Sequence, residues 1–210
     1  MTLFLHELKQ SKISVAIWTL AITFFMVTCV VIYPEMSAEM EQVGDVFASM
    51  GSFTAAFGMD QLNFGEFKGY FGIECGNVLG IGGALYAALL GIRALAKEEK
   101  EHTAEFLLTH PISRRRIYIE KALAVMVQII LMNLMVAMVT VGTTLMIGES
   151  LPWKEAYLLL FSFLLLQIEI AGITFGLSGF LHGGSVGVGM GLALGLYFLN
   201  LISNLLENSE

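Results

Sequence analysis

Two groups of residues have the types and spacing to do chemistry. The first is Glu169, beside Gln167, inside the apolar run 157–181. A charge in mid-membrane costs about 2.5–3.5 kcal/mol by insertion scales, so this carboxyl must be paired, protonated or wet. One reading makes it a proton relay or a polar patch on a substrate path. The other makes it a hydrogen-bonded carboxyl holding two helices together, with Gln128 or Asn133 as partner. With no basic partner evident, the second is the expectation. The other group is the polar island AKEEKEHTAEFLLTHPISRRRIYIEK, Ala96 to Lys121. Its chemistry is recognition. Thr103 caps a short helix with Glu105 and an apolar knob, Phe106, Leu107 and Leu108. Pro111 ends that helix. Ser113 caps the next one, which opens with Arg114, Arg115 and Arg116. Three cations in a first turn oppose the helix dipole at about 0.3–1 kcal/mol each. Lipid phosphates, or carboxylates on a cytoplasmic partner, would compensate them.

No other chemistry is evident. The sequence contains no GxxxxGK[ST], no HExxH and no defensible Ser/His/Asp arrangement. The run GGSVGVGMG has spaced glycines but no following Lys-Ser or Lys-Thr. Cys29 and Cys75 lack metal-ligand spacing; they are expected to be packing residues, with a disulfide near the outer face as the alternative. No catalytic residue, cofactor site or metal site is expected. Net charge is −7, with the two signs segregated along the chain; no nucleic-acid partner is expected.

The elements that position these groups must lie in a membrane. Of 210 residues, 56% are hydrophobic and 14% charged, with mean hydropathy +0.76, whereas soluble domains carry about 25% charged residues. Crossing about 30 Å of hydrocarbon takes roughly 20 apolar residues. Five runs qualify: 13–33, 76–95, 122–147, 157–181 and 186–202. The expected fold is an all-α polytopic bundle forming a single transmembrane domain over 1–210. The first run is too long for a signal h-region, and no A-x-A site follows, so it reads as a retained anchor. Lys9, Lys12, Arg93, Lys97, Lys100, Arg114, Arg115, Arg116 and Lys121 fall on one side of the spans. Lys68 and Lys154 fall on the other. The basic side is cytoplasmic, which places the N-terminus and the 96–121 loop inside. Trp18 and Tyr118 are expected near the inner interface, and Tyr33, Trp153 and Tyr157 near the outer one.

Between the first two runs, the external segment 34–75 begins where Pro34 stops span one. Met36, Met40, Val43, Phe47, Met50 and Phe57 then recur at helical spacing, an amphipathic helix broken at Gly58 and Asp60. Phe64, Phe67, Tyr70 and Phe71 follow, lying in the headgroup layer or capping the bundle. In the last span Gly183, Gly187, Gly191 and Gly195 recur every fourth residue, a face for close helix approach within a subunit or across a dimer. Gly80, Ala84 and Ala88 in span two, and Gly172 and Gly176 in span four, repeat the idea.

The string EEKEHTAEFLLTHPISRRRIYIEK resembles the loop of type-2 ABC transporter permeases. There a pair of acids, Thr-x-Glu, two leucines, a proline, an arginine and a lysine recur in this order. The matching residues are Glu98, Glu99, Thr103, Glu105, Leu107, Leu108, Pro111, Arg114 and Lys121; His102 departs from the glycine common in the family. The long outer segment with its FGMD, Phe57 to Asp60, and the segment lengths fit as well. The resemblance implies a permease subunit of an ATP-driven exporter in a prokaryotic plasma membrane. It would pair with a second permease subunit, while ATP is bound by a separate ABC ATPase docked on the coupling loop between spans two and three. Such permeases usually have six spans, so the resemblance also implies a chain lacking the last one. Two other classes stay open: a secondary transporter or channel using Glu169, and a membrane interaction or immunity protein that transports nothing.

Overall fold

A computed structural model describes residues 2–49, 66–100, 113–180 and 186–207, with side chains for 3–37, 66–97, 113–180, 186–203 and 206. Every element among them is helical. We number five: α1 (Thr2–Ser49), a composite α2, α3 (Arg114–Met146), α4 (Trp153–Ser178) and α5 (Val186–Glu207). α2 runs without a break through Phe67–Tyr70, the π-turn Phe71–Cys75, Gly76–Val78, a second π-turn Leu79–Gly83, and Ala84–Lys100. Both π-turns lie in a stretch carrying Gly69, Gly72, Gly76, Gly80, Gly82 and Gly83, where few Cβ atoms resist the wider turn.

Five stretches are long and apolar enough to cross a membrane: Leu3–Ser37, Phe67–Lys97, Arg114–Met146, Trp153–Ser178 and Val186–Ser203. Leu20, Phe24, Leu134, Met146, Leu165 and Leu199 stand exposed on the outside, an exterior suited to lipid or to partner helices. α2 is the inner helix. In its most apolar window 61% is buried, against 11–33% for the other four. It packs mainly on α4 and α5, and α1 packs mainly on α3. One apolar cluster joins Ile22, Met26 and Val30 of α1 to Tyr86 of α2 and Met132 and Val136 of α3. A second joins Ala84, Ala87 and Ala88 of α2 to Ile129, Ile170, Ala171 and Ala193.

The first boundary differs from the sequence expectation. Pro34 does not stop the helix; α1 continues through it to Ser49. Proline removes one N–H and leaves the carbonyl four residues back, at Val30, without its usual bond. Neighbouring groups repair such defects in membrane helices. Here the Tyr70 hydroxyl donates to the adjacent Cys29 carbonyl at 2.8 Å. Tyr33 is buried, with ring centroids 4.9 Å from Phe67 and 5.2 Å from Tyr70. Of the two readings of Phe67, Tyr70 and Phe71, their burial fits packing on the bundle, and the helix that carries span two begins at Phe67. The helix that carries the third span begins at Arg114, and the one that carries the fourth begins at Trp153. Trp18 packs on Tyr86 with centroids 5.7 Å apart, inside the bundle. Trp153 and Tyr157 are exposed at the start of α4, as an interfacial belt requires. Cys29 and Cys75 are free thiols. The side chains of the external amphipathic pattern beyond Met36, and its end at Gly58 and Asp60, lie outside the described residues.

Helix approach depends on glycines other than those expected. A Cβ on Gly83 would collide with the Gln167 side chain. One on Gly91 would collide with Thr174 Oγ1 and the Ala171 carbonyl. One on Gly189 would come within 3.0 Å of Ile92. So α2 presents glycines to α4, and α5 presents Gly189 to α2. At Gly172, Gly176, Gly191 and Gly195 a Cβ would meet nothing within 4 Å. Among the described residues those positions pack against no helix, unlike the intrasubunit reading; Gly187 is exposed as well, and Gly183 lies outside the described residues. Of the expected small face of span two, Gly80, Ala84 and Ala88 are all buried.

Gly91→Ala should therefore lower stability in detergent by about 1–3 kcal/mol, the usual cost of overpacking. Gly142→Ala, where a Cβ meets nothing within 4 Å, should be neutral or slightly stabilising. Thermal unfolding followed by circular dichroism compares the two. Equal melting temperatures would contradict backbone-close packing of α2 on α4.

Candidate functional site

The basic residues predicted on one side of the membrane do gather at one end of the bundle. The start of α1, the end of α2 and the start of α3 meet there. Ser113 caps α3 as expected, its hydroxyl accepting from the Arg116 N–H at 3.4 Å. Arg114, Arg115 and Arg116 are exposed in the first turn. The chain itself compensates part of this adverse charge. Arg116 Nε lies 2.8 Å from the Glu120 carboxylate, one turn on, and Glu120 also accepts the Phe4 N–H at 3.1 Å. Arg114 and Arg115 form no ion pair among the described residues, so they remain open to an external anion.

Lys121 is nearly sealed from solvent, 2% exposed, with its Nζ 2.7 Å from the Glu7 carboxylate. A buried lone charge is unfavourable, and pairing with hydrogen-bonding geometry removes most of that cost. The contact ties α1 to α3 at the basic end. Near the other end Lys68 and Glu155 meet at 2.7 Å, both well exposed, a pair that adds little stability.

Of the predicted loop residues, Glu98 and Glu99 fall on the last turn of α2 with their side chains outside the described set. Thr103, Glu105, Phe106, Leu107, Leu108 and Pro111 also lie outside the described residues. The coupling knob therefore has no geometry here, whereas its two flanks do: the end of α2 and the capped start of α3 bracket it.

Glu169 does not make the expected bond. It stands exposed on the outer face of α4, on the same side as Gly172 and Gly176. Its neighbour Gln167 points inward instead, fully buried, and accepts from Asn133 Nδ2 at 2.6 Å. Two positions along a helix separate faces by about 200°, so both residues cannot face the same partner. The amide pair occupies the place in the core that the acid was expected to hold. Other polar groups, Gln128, Thr140, Thr144 and Thr174, are buried along α3 and α4. Thr144 and Thr174 bond to carbonyls one turn back, the usual way a hydroxyl is satisfied inside a helix bundle.

Sequence reasoning missed Glu7, Glu120, Gln167, Gly83, Gly91 and Gly189. Glu120 carried a usable signal, an acid four residues after Arg116. Gln167 carried another, an amide at the same depth as Asn133. Glu7 had none, because only the fold brings α1 beside α3.

Lys121→Met should leave the Glu7 carboxylate uncompensated in a half-buried place and cost about 3–5 kcal/mol. Glu7→Gln combined with Lys121→Met should recover most of that loss. Unfolding of the single and double variants measures it. A double variant as unstable as the single would show that the two groups do not act as a pair.

No match was found among curated protein sequences or solved structures. The family described as ABC-2 family transporter protein matches residues 1–207, nearly the whole chain. That match agrees with five helices suited to crossing a membrane and with a charged loop between the second and third. The chain is a multi-pass membrane protein and belongs to the ABC-2 transporter permease family.

Proposed function

We propose that this chain is the membrane subunit of an ATP-driven exporter and that residues 96–121 dock it onto a separate ATPase. The observation that carries the proposal is the family match over residues 1–207. The arrangement around the loop supports it. α2, the innermost helix, leads directly into the loop, and Ser113 fixes the start of α3 on its other side. Movement imposed on the loop would pass to α2, and from there to α4 and α5 through glycine contacts too close to slide freely. ATP would be bound and hydrolysed by the partner alone, so this chain would need no cofactor. Glu98, Glu99, Thr103, Glu105, Phe106, Leu107, Leu108, Pro111 and the three arginines would form the docking surface. Glu169, on the outer face of α4, does not favour a proton path through the bundle.

The same proposal includes a second permease subunit. Gly191 and Gly195 present an open glycine face on α5, and small residues are the usual means of close helix approach in lipid. Gly191→Leu should reduce recovery of the dimer, while the separated subunit keeps its melting temperature. Leu194→Ile should change neither. Native mass spectrometry gives the dimer fraction, and an unchanged fraction with Gly191→Leu would mean that this face meets lipid.

For the docking loop, buried apolar anchors carry most interface energy, often about 2 kcal/mol or more each, whereas rim charges tune encounter and salt dependence. Changing Phe106 and Leu107 together to Ser should detach the ATPase and leave membrane insertion intact. Arg115→Gln should weaken the complex mildly, and more at low salt than at high salt. Co-purification of the ATPase with each variant decides between docking and membrane anchoring. Undiminished recovery with the double serine variant contradicts docking through the knob.

A further inference from the structure

Between α1, α2 and α3, at the basic end, lies a cleft of about 170 Å³. A single water needs only about 10–15 Å³ by the same measure, so the space admits a much larger polar group. Arg93, Lys97 and Lys121 line it, together with one acid, Glu7. Glu7 neutralises Lys121 at 2.7 Å. Arg93 is exposed and Lys97 half-buried, and neither forms an ion pair among the described residues. One helical turn apart on α2, they share a face. Among the described residues, the lining therefore has two cations without an ion pair.

The inner wall adds a second, independent feature. Gln128 lines the cleft and is 4% exposed. Its Nε2 donates to the Ala124 carbonyl at 3.0 Å, but its Oε1 has no hydrogen-bond partner. A buried acceptor left without a donor is costly. That oxygen is itself covered, so the cleft offers its cations, and the amide serves as part of its wall. Lys121 is seven residues beyond Arg114, about 10 Å along α3 at 1.5 Å per residue, a depth suited to lipid headgroups. Leu89, Leu90 and Val125 make the rest of the lining apolar.

From this geometry we infer that the cleft binds the phosphate of an anionic phospholipid headgroup, with phosphatidylglycerol as the probe. Arg93 and Lys97 take the phosphate. The apolar lining accommodates the first part of the acyl chains. The lipid would bridge α1, α2 and α3 where the Glu7–Lys121 pair already joins two of them. This site is separate from the proposed docking loop and does not depend on that reading.

The test uses the full chain in nanodiscs of mixed phosphatidylglycerol and phosphatidylcholine, with retained lipid counted by native mass spectrometry. The wild type should retain phosphatidylglycerol in preference to phosphatidylcholine. Arg93→Gln with Lys97→Gln should weaken that retention about thirtyfold, the weight of two basic groups at an anionic surface. Ser14→Glu, at a half-buried position on the opposite wall, should expel the lipid by repulsion, so misfolding of one variant leaves the other to decide. Arg114→Gln with Arg115→Gln, outside the cleft, should retain the lipid as the wild type does. Three results would overturn the assignment. They are wild-type retention in the Arg93/Lys97 variant, an equal loss in the Arg114/Arg115 variant, and displacement of the lipid by inorganic phosphate at matched concentration. The last would assign the cleft to a soluble anion.

Discussion

The structure depends on how closely the backbone of α2 approaches α4. Gly83 and Gly91 leave no room for a methyl group, because Gln167, Ala171 and Thr174 already fill that space. Inside a bilayer, helices gain little from hiding apolar surface from one another, since lipid is just as apolar. Association must come from close packing and from polar groups that find partners. The α2–α4 contact supplies the first, and the Asn133–Gln167 bond at 2.6 Å supplies the second by tying α3 to α4. With α4 fixed, the alanine face of α2 meets Ile129, Ile170 and Ala193, and α5 seats Gly189 against Ile92. The bundle is thus arranged around one inner helix, and that helix runs directly into the charged loop.

Charge is arranged in the same way. Cations at the start of α3 face an unfavourable helix dipole, and the chain answers with Glu120 and Glu7 rather than leaving them all to an outside partner. Among the described residues, the cations without an ion pair include Arg114 and Arg115 beside the loop, and Arg93 and Lys97 in the cleft. These are the groups with which the basic end can engage anions that are not its own.

Much of the fold was legible in the sequence, because hydrophobic length and basic asymmetry are properties of single segments. All five spans and the Ser113 cap follow from local pattern. Boundaries were less legible where a distant residue decides them. Pro34 is a helix breaker in isolation, yet α1 continues through it, as membrane helices can where neighbouring groups satisfy the freed backbone. Phe67, Tyr70 and Phe71 read either as interfacial aromatics or as a cap; Tyr33 packs on the first two, and Phe71 packs on Phe67. Glu169 drew attention as the costlier group, but helical rotation turns it outward and gives the core to Gln167. Glycine spacing identified helices with small faces without saying which face meets which neighbour. Of the candidate site, the loop was legible as composition and resemblance. The cleft was not, because its walls come from three separate helices.

The open surfaces carry the functional account. Among the described residues, an acid and four glycines stand on the outer faces of α4 and α5 without a neighbouring helix, and Arg114 and Arg115 have no ion pair. A permease that works as half of a membrane pair, driven by separate ATPases, gives these surfaces occupants. The most direct measurement is the mass of the intact assembly extracted gently from the native membrane. The account predicts two permease subunits together with two copies of a nucleotide-binding protein. A single copy of this chain, carrying lipid but no such protein under conditions that preserve other membrane complexes, would contradict it.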